Sequence, residues 1–497
     1  MRRLPLGTLA IVVLLALGLG IGSAVGPTRA TRHSASSVEV IGASAVCPDL
    51  RQVKDLIATR VSVGSGPLPE GRRSTGGTIT AHNITTPAEN VDVPVHGSGQ
   101  VAVNLGTTTT NDGLVVSASG DLAAGLEVEQ VTRGENGIDR GLAGLRCEPP
   151  KPDIWFEGSS TRPFNYTVLV MANVDSTPAD VNIDVFTQKG ALRPPQAQGL
   201  RIAPHTRYQV KLDAWVPDED LLAVHIHSTR GRIAAGLRQA LKTVRVTEGV
   251  DWVPQTQPPA TSVVVPGIPQ GPGLRFLLVT NPGSDDATVS VKVSTSDEQF
   301  VPSGMNAINV PAGSTVRVRF DAIAATSALS ATVTSDGPRI IAGAFAADVQ
   351  PDAHAEEFAY TAGTLPLSGP AVLTDVVINR PTESTLLLSA PFGAAAVLVT
   401  PIKVLGASGP QPKGPVTVHI PAGRTLSFKL STFFPPATVA QLAVEVRPLP
   451  HSGPIYAARY LRERGAHGPL TTILDLEGPA LLVSRPAVVS DPQAGTP

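Results

Sequence analysis

The sequence predicts an all-β protein in four tandem sandwich domains behind an N-terminal hydrophobic helix. Three observations predict it: a composition rich in Gly (47) and Pro (46) with only 16% charged residues, landmarks that recur about every 108 residues, and strict apolar alternation after each recurring turn. Many turns and few long helices follow from that composition. A chain of 497 residues also exceeds one ordinary core, since domains usually run about 100 to 200 residues. Aromatics are 4%, so any core is built mainly from Val, Ala, Leu and Ile. The formal net charge is −2 and no Lys/Arg-rich run occurs, so the basic face that nucleic acid requires is missing and nucleic acid is excluded as a partner.

The chain opens with Met1-Arg2-Arg3 and an uncharged stretch from Leu4 to Gly26. Residues 1–30 fit a transmembrane anchor, because the stretch is long enough to span a bilayer, and equally a signal peptide, because Thr28-Arg29-Ala30 is a small-x-small cleavage site. Either way the chain is expected to be extracytoplasmic, secreted or held in the membrane by a single N-terminal helix. Cys47 and Cys147 are the only cysteines. An even count in an exported chain predicts a disulfide between them, and neither a close CxxC nor neighbouring His ligands support zinc.

After about residue 40 the chain falls into four blocks with landmarks in the same order. An apolar strand ends at Asn173, Asn281 and Ala390 in the last three blocks, offsets of 108 and 109. A turn follows, as in Val310-Pro311-Ala312-Gly313-Ser314 and Ile420-Pro421-Ala422-Gly423, then an alternating strand such as Thr315–Phe320, with Val316, Val318 and Phe320 on one face. The blocks are bounded at 38–150, 151–253, 260–362 and 370–485, with a disordered tail over 486–497. The first block is degenerate, and Cys47 and Cys147 tie its two ends. Pro-rich joints at 148–152 and 254–259 read as stiff spacers, which predicts a semi-rigid rod. A period near 108 fits immunoglobulin-like sandwiches of about 100 residues. The one helical pattern runs from Asp49 to Thr59, where Leu50, Val53, Lys54 and Ile57 share a face.

The search for chemistry is largely negative. Nucleophile elbows, S-x-x-K pairs, H-E-x-x-H and phosphate-binding loops are missing. His225-Ile226-His227 has strand spacing suited to a shared ion, but the repeat register aligns these positions with Ser117/Ser119, Thr332/Thr334 and Glu445/Arg447, a wet strand face. They stand as candidate metal ligands outweighed by that register, and no cofactor is expected. Asp218-Glu219-Asp220 could bind calcium but reads better as a solvated turn, as does Asp285-Asp286. Trp155 and Trp252 could face a sugar ring, against the alternative of packing at a block joint.

Gly249-Val250-Asp251-Trp252-Val253-Pro254, Val279-Thr280-Asn281-Pro282-Gly283, the Val310–Ser314 turn and Cys47-Pro48 together resemble a family of actinobacterial exported proteins known only as a domain of unknown function, with immunoglobulin-like surface repeats. The fourth block departs from it at Ala390-Pro391-Phe392-Gly393. The resemblance implies a cell-envelope setting and supplies no catalytic residues. The expected function is therefore non-enzymatic: the array binds or scaffolds an envelope protein, a membrane glycosyltransferase or a wall polysaccharide. An exported polysaccharide-active enzyme with a site between domains and a structural spacer are the alternatives.

Overall fold

Short Val- and Thr-rich segments that alternate in polarity can satisfy their backbone groups only by pairing with one another, and that is what this chain does. The computed structural model describes residues 31–490 apart from 34–35, 51–56, 69–75, 104–111, 243–246, 350–354, 378–381, 407–413, 435–440, 479–481 and 486–487. It is all-β, and its helical residues sit in short turns such as Asp321–Ala324 and Leu430–Phe433. The helix expected over 1–30 lies outside the described residues, among which no helix is long and apolar enough to cross a membrane.

Two units form. The smaller pairs Thr31–His33 with Val488–Ser490, inside the expected tail, and Ser36–Glu39 with Leu482–Arg485, both antiparallel. The larger, Val40–Leu481, repeats one strand order four times. Its first block has a sheet in the order Gly141–Arg146, Leu126–Gly134, Ile57–Ser65, Gln100–Val103. Corresponding sheets run Thr247–Val253, Ala234–Lys242, Tyr166–Asn173, Thr206–Lys211; then Ala355–Ala362, Ile341–Val349, Leu274–Asn281, Ser314–Arg319; and finally Gly468–Leu476, Tyr456–Gly465, Thr382–Ala390, Arg424–Lys429. A second sheet covers each one. The strand alternation then fills the space between: Val181, Ile183 and Val185 meet Leu169 and Met171, Val289 and Val291 meet Leu277 and Val279, and Val397 and Val399 meet Leu386 and Leu388.

The recurring asparagine has a mechanical role. Asn173 Nδ2 donates to the carbonyls of Thr177 and Ile202, and its Oδ1 accepts from the Asp175 amide. Asn281 repeats this with Asp285, Val310 and Gly283. Each buried amide thus fastens a hairpin turn to the strand leading into the next turn. Ala390 lacks the side chain, and there the Gly423 amide donates to its carbonyl instead.

Two expectations are corrected. Ile57–Thr59 opens the strand Ile57–Ser65 rather than closing a helix, because nine residues pair in register with Leu126–Gly134, a long-range ladder that outweighs local helical spacing; residues 51–56 of that segment lie outside the description. The Pro-rich joints are not free spacers. Lys151 bridges Ile233, and Gln255 and Thr256 pair with Phe156 and Trp155, so both joints are sewn into sheets.

The rod is replaced by a closed circuit. The last strands of the four blocks, Gly141–Arg146, Thr247–Val253, Ala355–Ala362 and Gly468–Leu476, pack each against the next, the fourth returning to the first. Small and aliphatic side chains allow this approach. Ala143 and Leu145 meet Ala240, Val250 and Trp252; Ala359 meets Ala458 and Ile473; Val131 and Leu142 meet Leu461, Leu470 and Leu474. At Gly144 a Cβ would sit 2.8 Å from Thr472 Oγ1 and 3.0 Å from Leu474 Cγ, so a larger residue would push the facing strand's side chains away.

Cys47 and Cys147 are bonded, both buried in the first block's core, with their Cα atoms 4.7 Å apart. Cys47 ends a strand of one sheet and Cys147 directly follows a strand of the other, so the bond clamps the two sheets. Replacing both cysteines by serine is expected to lower unfolding free energy by about 2–5 kcal/mol, measured by denaturant titration.

Candidate functional site

Where the four last strands converge, a single buried carboxylate touches every block. Asp251 Oδ1 accepts from the Gly144 amide (3.3 Å) and Thr472 Oγ1 (2.9 Å), and Oδ2 accepts from the Tyr360 amide (3.1 Å). Asp251 itself is fully buried, and burial drives its pKa well above the usual carboxylate range despite those donors. Nearby Glu357 is likewise raised well above its ordinary value by burial, and its Oε2 has no hydrogen-bond partner. At Gly249, where φ is +121°, a Cβ would overlap the Glu357 carboxylate.

The junctions between blocks carry further buried polar pairs. Between the fourth and first blocks, Glu129 Oε2 accepts from the Thr374 amide (3.1 Å), Thr374 Oγ1 (2.7 Å) and Arg459 (3.3 Å), and Arg459 is fully buried. Between the second and third, Glu157 accepts from Thr315 Oγ1 (3.2 Å), and burial raises its pKa to about 8. Asp251, Glu357 and Glu157 have the raised values that mark catalytic carboxylates elsewhere. They are nonetheless sealed: Asp251, Glu357 and Glu157 are 0%, 0% and 2% exposed, and a general acid must reach substrate. Their work is to hold blocks together.

An accessible concavity lies between the second and third blocks, a cleft of about 150 Å³. Phe276, Leu278, Phe345 and Tyr360 give it an apolar wall; Ser159, Ser160, Asn165 and Gln239 give it hydroxyl and amide groups. The aromatic wall is fixed by packing, with Phe345 stacked on Phe276 at 6.2 Å and Phe358 at 5.6 Å and meeting Tyr360 edge-on at 5.3 Å. Tyr360 Oη donates to Gln239 Oε1, whose Nε2 donates to the Ser160 carbonyl. Burial pushes the Tyr360 hydroxyl upward, so it remains a proton donor. Arg317 lies over Phe276 at 4.9 Å and pairs at 3.0 Å with Asp220, which Arg162 also reaches at 3.3 Å, so the charges on the rim are paired with one another. Ser159 Oγ donates to Thr167 Oγ1 and Ser160 Oγ to the Glu219 carbonyl, so neither hydroxyl meets a base. The arrangement suits binding of a neutral, hydroxyl-bearing ring.

A family model described as a family of unknown function, DUF5719, matches residues 97–431. The chain belongs to the DUF5719 family. No curated protein matches it. The DUF5719 match begins inside the first block and ends in the fourth, so it takes in Asp251, Glu357, the whole aromatic wall and the Asn173 and Asn281 staples.

The residues singled out from sequence fall unevenly about this cleft. Trp155 and Trp252 are 6% and 2% exposed and present no face to a ligand: Trp155 stacks between His225 and Phe186, and Trp252 packs against Ala143 and Leu145 at a block joint. Asp218-Glu219-Asp220 does not converge on an ion, because Glu219 pairs with Lys189 and Asp220 with Arg162 and Arg317. Asp220 instead serves the cleft rim, a role with no local motif. His225 and His227 lie outside the cleft and are half-buried rather than fully wet. His225 is 17% exposed at its side chain, and burial holds its pKa below the ordinary value against the pull of Asp153. The aromatic wall was missed because Phe276, Phe345 and Tyr360 come from three strands and share no spacing.

The raised acids give the DUF5719 fold a signed pH dependence. A carboxyl whose folded pKa exceeds its unfolded value holds its proton in the fold, so its contribution is complete below about pH 4.5 and fades as pH rises through the folded value, about 8 for Glu157. The melting temperature is expected to fall between pH 5 and pH 8. Glu157→Gln should narrow that fall, melting about 2–4 °C above wild type at pH 8 and close to it at pH 5, as read by scanning calorimetry.

Proposed function

We propose that this DUF5719 chain is a non-enzymatic, extracytoplasmic protein of an actinobacterial cell envelope that binds a wall polysaccharide in the cleft between its second and third blocks. In this reading its four blocks are immunoglobulin-like sandwiches, and the segment 1–30 is the signal or anchor that exports them. The observation that carries the reading is the cleft itself: a fixed aromatic wall facing amide and hydroxyl groups, with the charges on its rim already paired. Sugar rings bind to such surfaces through their apolar faces while their hydroxyls exchange water for amides. The buried disulfide supports an oxidising compartment. Against catalysis stand the sealed acids and the cleft serines that lack a base.

The test is calorimetric titration of the purified full chain with solubilised wall polysaccharide, comparing wild type with Phe345→Ala and with Asn165→Ala, which removes one of the amides lining the cleft. Saturable binding weakened at least tenfold by either substitution, with both variants keeping the wild-type circular dichroism, is the expected result. Affinity unchanged in both variants would remove the cleft as the seat. Release of shortened glycan would replace binding by hydrolysis.

A further inference from the structure

A second site is assembled outside the cleft by the register of three neighbouring strands. Asp153–Glu157, Leu222–Arg230 and Ala179–Thr187 run side by side, with Leu222–Arg230 in the middle. On one side the register sets Asp153 opposite His227 and Trp155 opposite His225; on the other it sets Asn182 opposite His227 and Asp184 opposite His225. Residues two apart on a strand share a face, so two imidazoles and two carboxylates from three strands gather on one patch. Among the described residues, Asp184, His225 and His227 are the cluster of such side chains whose ligand atoms all lie within 4.8 Å of one another.

We propose that Asp184, His225 and His227 hold a divalent transition metal ion of the zinc or copper class, with Asp153 orienting His225. Two imidazoles and one carboxylate form a borderline donor set that suits zinc or copper over calcium or magnesium, and three protein ligands leave a position open to water or a partner's ligand. The surroundings supply the support such a site needs. His225 Nε2 donates to Asp153 Oδ1 at 2.7 Å, which leaves Nδ1 with its lone pair for an ion. Its ring is held flat against Trp155, with centroids 3.6 Å apart and planes 8° from parallel, so its orientation is set by packing before an ion arrives. His227 is stacked 5.0 Å from His225, and its Nδ1 is buried without a hydrogen-bond partner.

Three groups compete with the ion, the weakest being the Gln198 amide, whose Nε2 lies 3.5 Å from Asp184 Oδ1. The exposed Arg193 guanidinium lies 3.4 Å from Asp184 and swings away at little cost. The Asn182 amide, oriented by the Gly199 amide donating to its Oδ1 at 2.7 Å, donates to His227 Nε2 at 3.2 Å. Ligation of His227 displaces that neutral bond, a penalty of up to about tenfold in affinity. Asn182→Asp reverses the effect, since a carboxylate there would accept a proton from Nε2 or join the ligands.

The experiment uses the untagged full chain, stripped with a chelator and titrated with Zn²⁺ against a chromophoric competitor, with Co²⁺ absorption reporting coordination geometry. One ion per chain is expected, weakened about 10–100-fold by Asp153→Asn and more by Asp184→Asn or the His225→Ala, His227→Ala pair, and tightened by Asn182→Asp. The aspartate-to-asparagine changes conserve shape, so their circular dichroism should match wild type. Failure of wild type to bind, or binding unchanged in the histidine double variant, overturns the proposal.

Discussion

The architecture of the larger unit depends on one carboxyl group. Asp251 sits where four last strands meet and accepts hydrogen bonds from the first, third and fourth blocks while belonging to the second. Burying a charged group so completely is costly, and burial accordingly raises the Asp251 pKa well above the usual carboxylate range, which favours the protonated form. Its two oxygens take up the backbone amides of Gly144 and Tyr360 and the hydroxyl of Thr472, so one side chain ties the second block to the other three. The glycine and alanine residues around it follow from the same requirement, because larger side chains would hold the strands apart.

Much of the local order was legible in the sequence. The landmarks ending at Asn173 and Asn281 marked a real repeat because the buried amide has the same three partners in both blocks, and fixed chemistry leaves a fixed residue. Pairing of Cys47 with Cys147 followed from an even count in an exported-looking chain. The circuit was not legible. It is made by small and aliphatic side chains, alanines and leucines foremost, whose spacing within each strand is ordinary, and only their meeting across more than a hundred residues gives them meaning. The Pro-rich joints misled for a related reason: proline stiffens an isolated segment, yet Gln255 and Thr256 still find strand partners beside it.

The two histidines show how far register can be trusted. Aligning the blocks placed His225 and His227 on an outward strand face, which is where they are, but a face is wet only if its neighbours are small or polar. Trp155 on the adjacent strand covers His225, and Asp184 on the other side faces it. Alignment within a repeat says what a position is in the sheet; it says nothing of what the next strand brings. The cleft makes the same point, since its wall draws on residues from the second and third blocks that no single repeat contains.

Closing a circuit also imposes an order of events. The contacts that complete it, Gly144 with Thr472 and Glu129 with Arg459, join residues 328 and 330 positions apart, whereas each block's own ladders are local by comparison. Loop closure over such a span comes late, so individual blocks can collapse early but the clasp waits for the fourth. Until then Val131 and Leu142 lack their partners Leu461, Leu470 and Leu474 and present an apolar strip to other chains. A chain emerging amino-terminus first would therefore pass through an open, adhesive stage, and the disulfide that clamps the first block makes that block the one best able to wait.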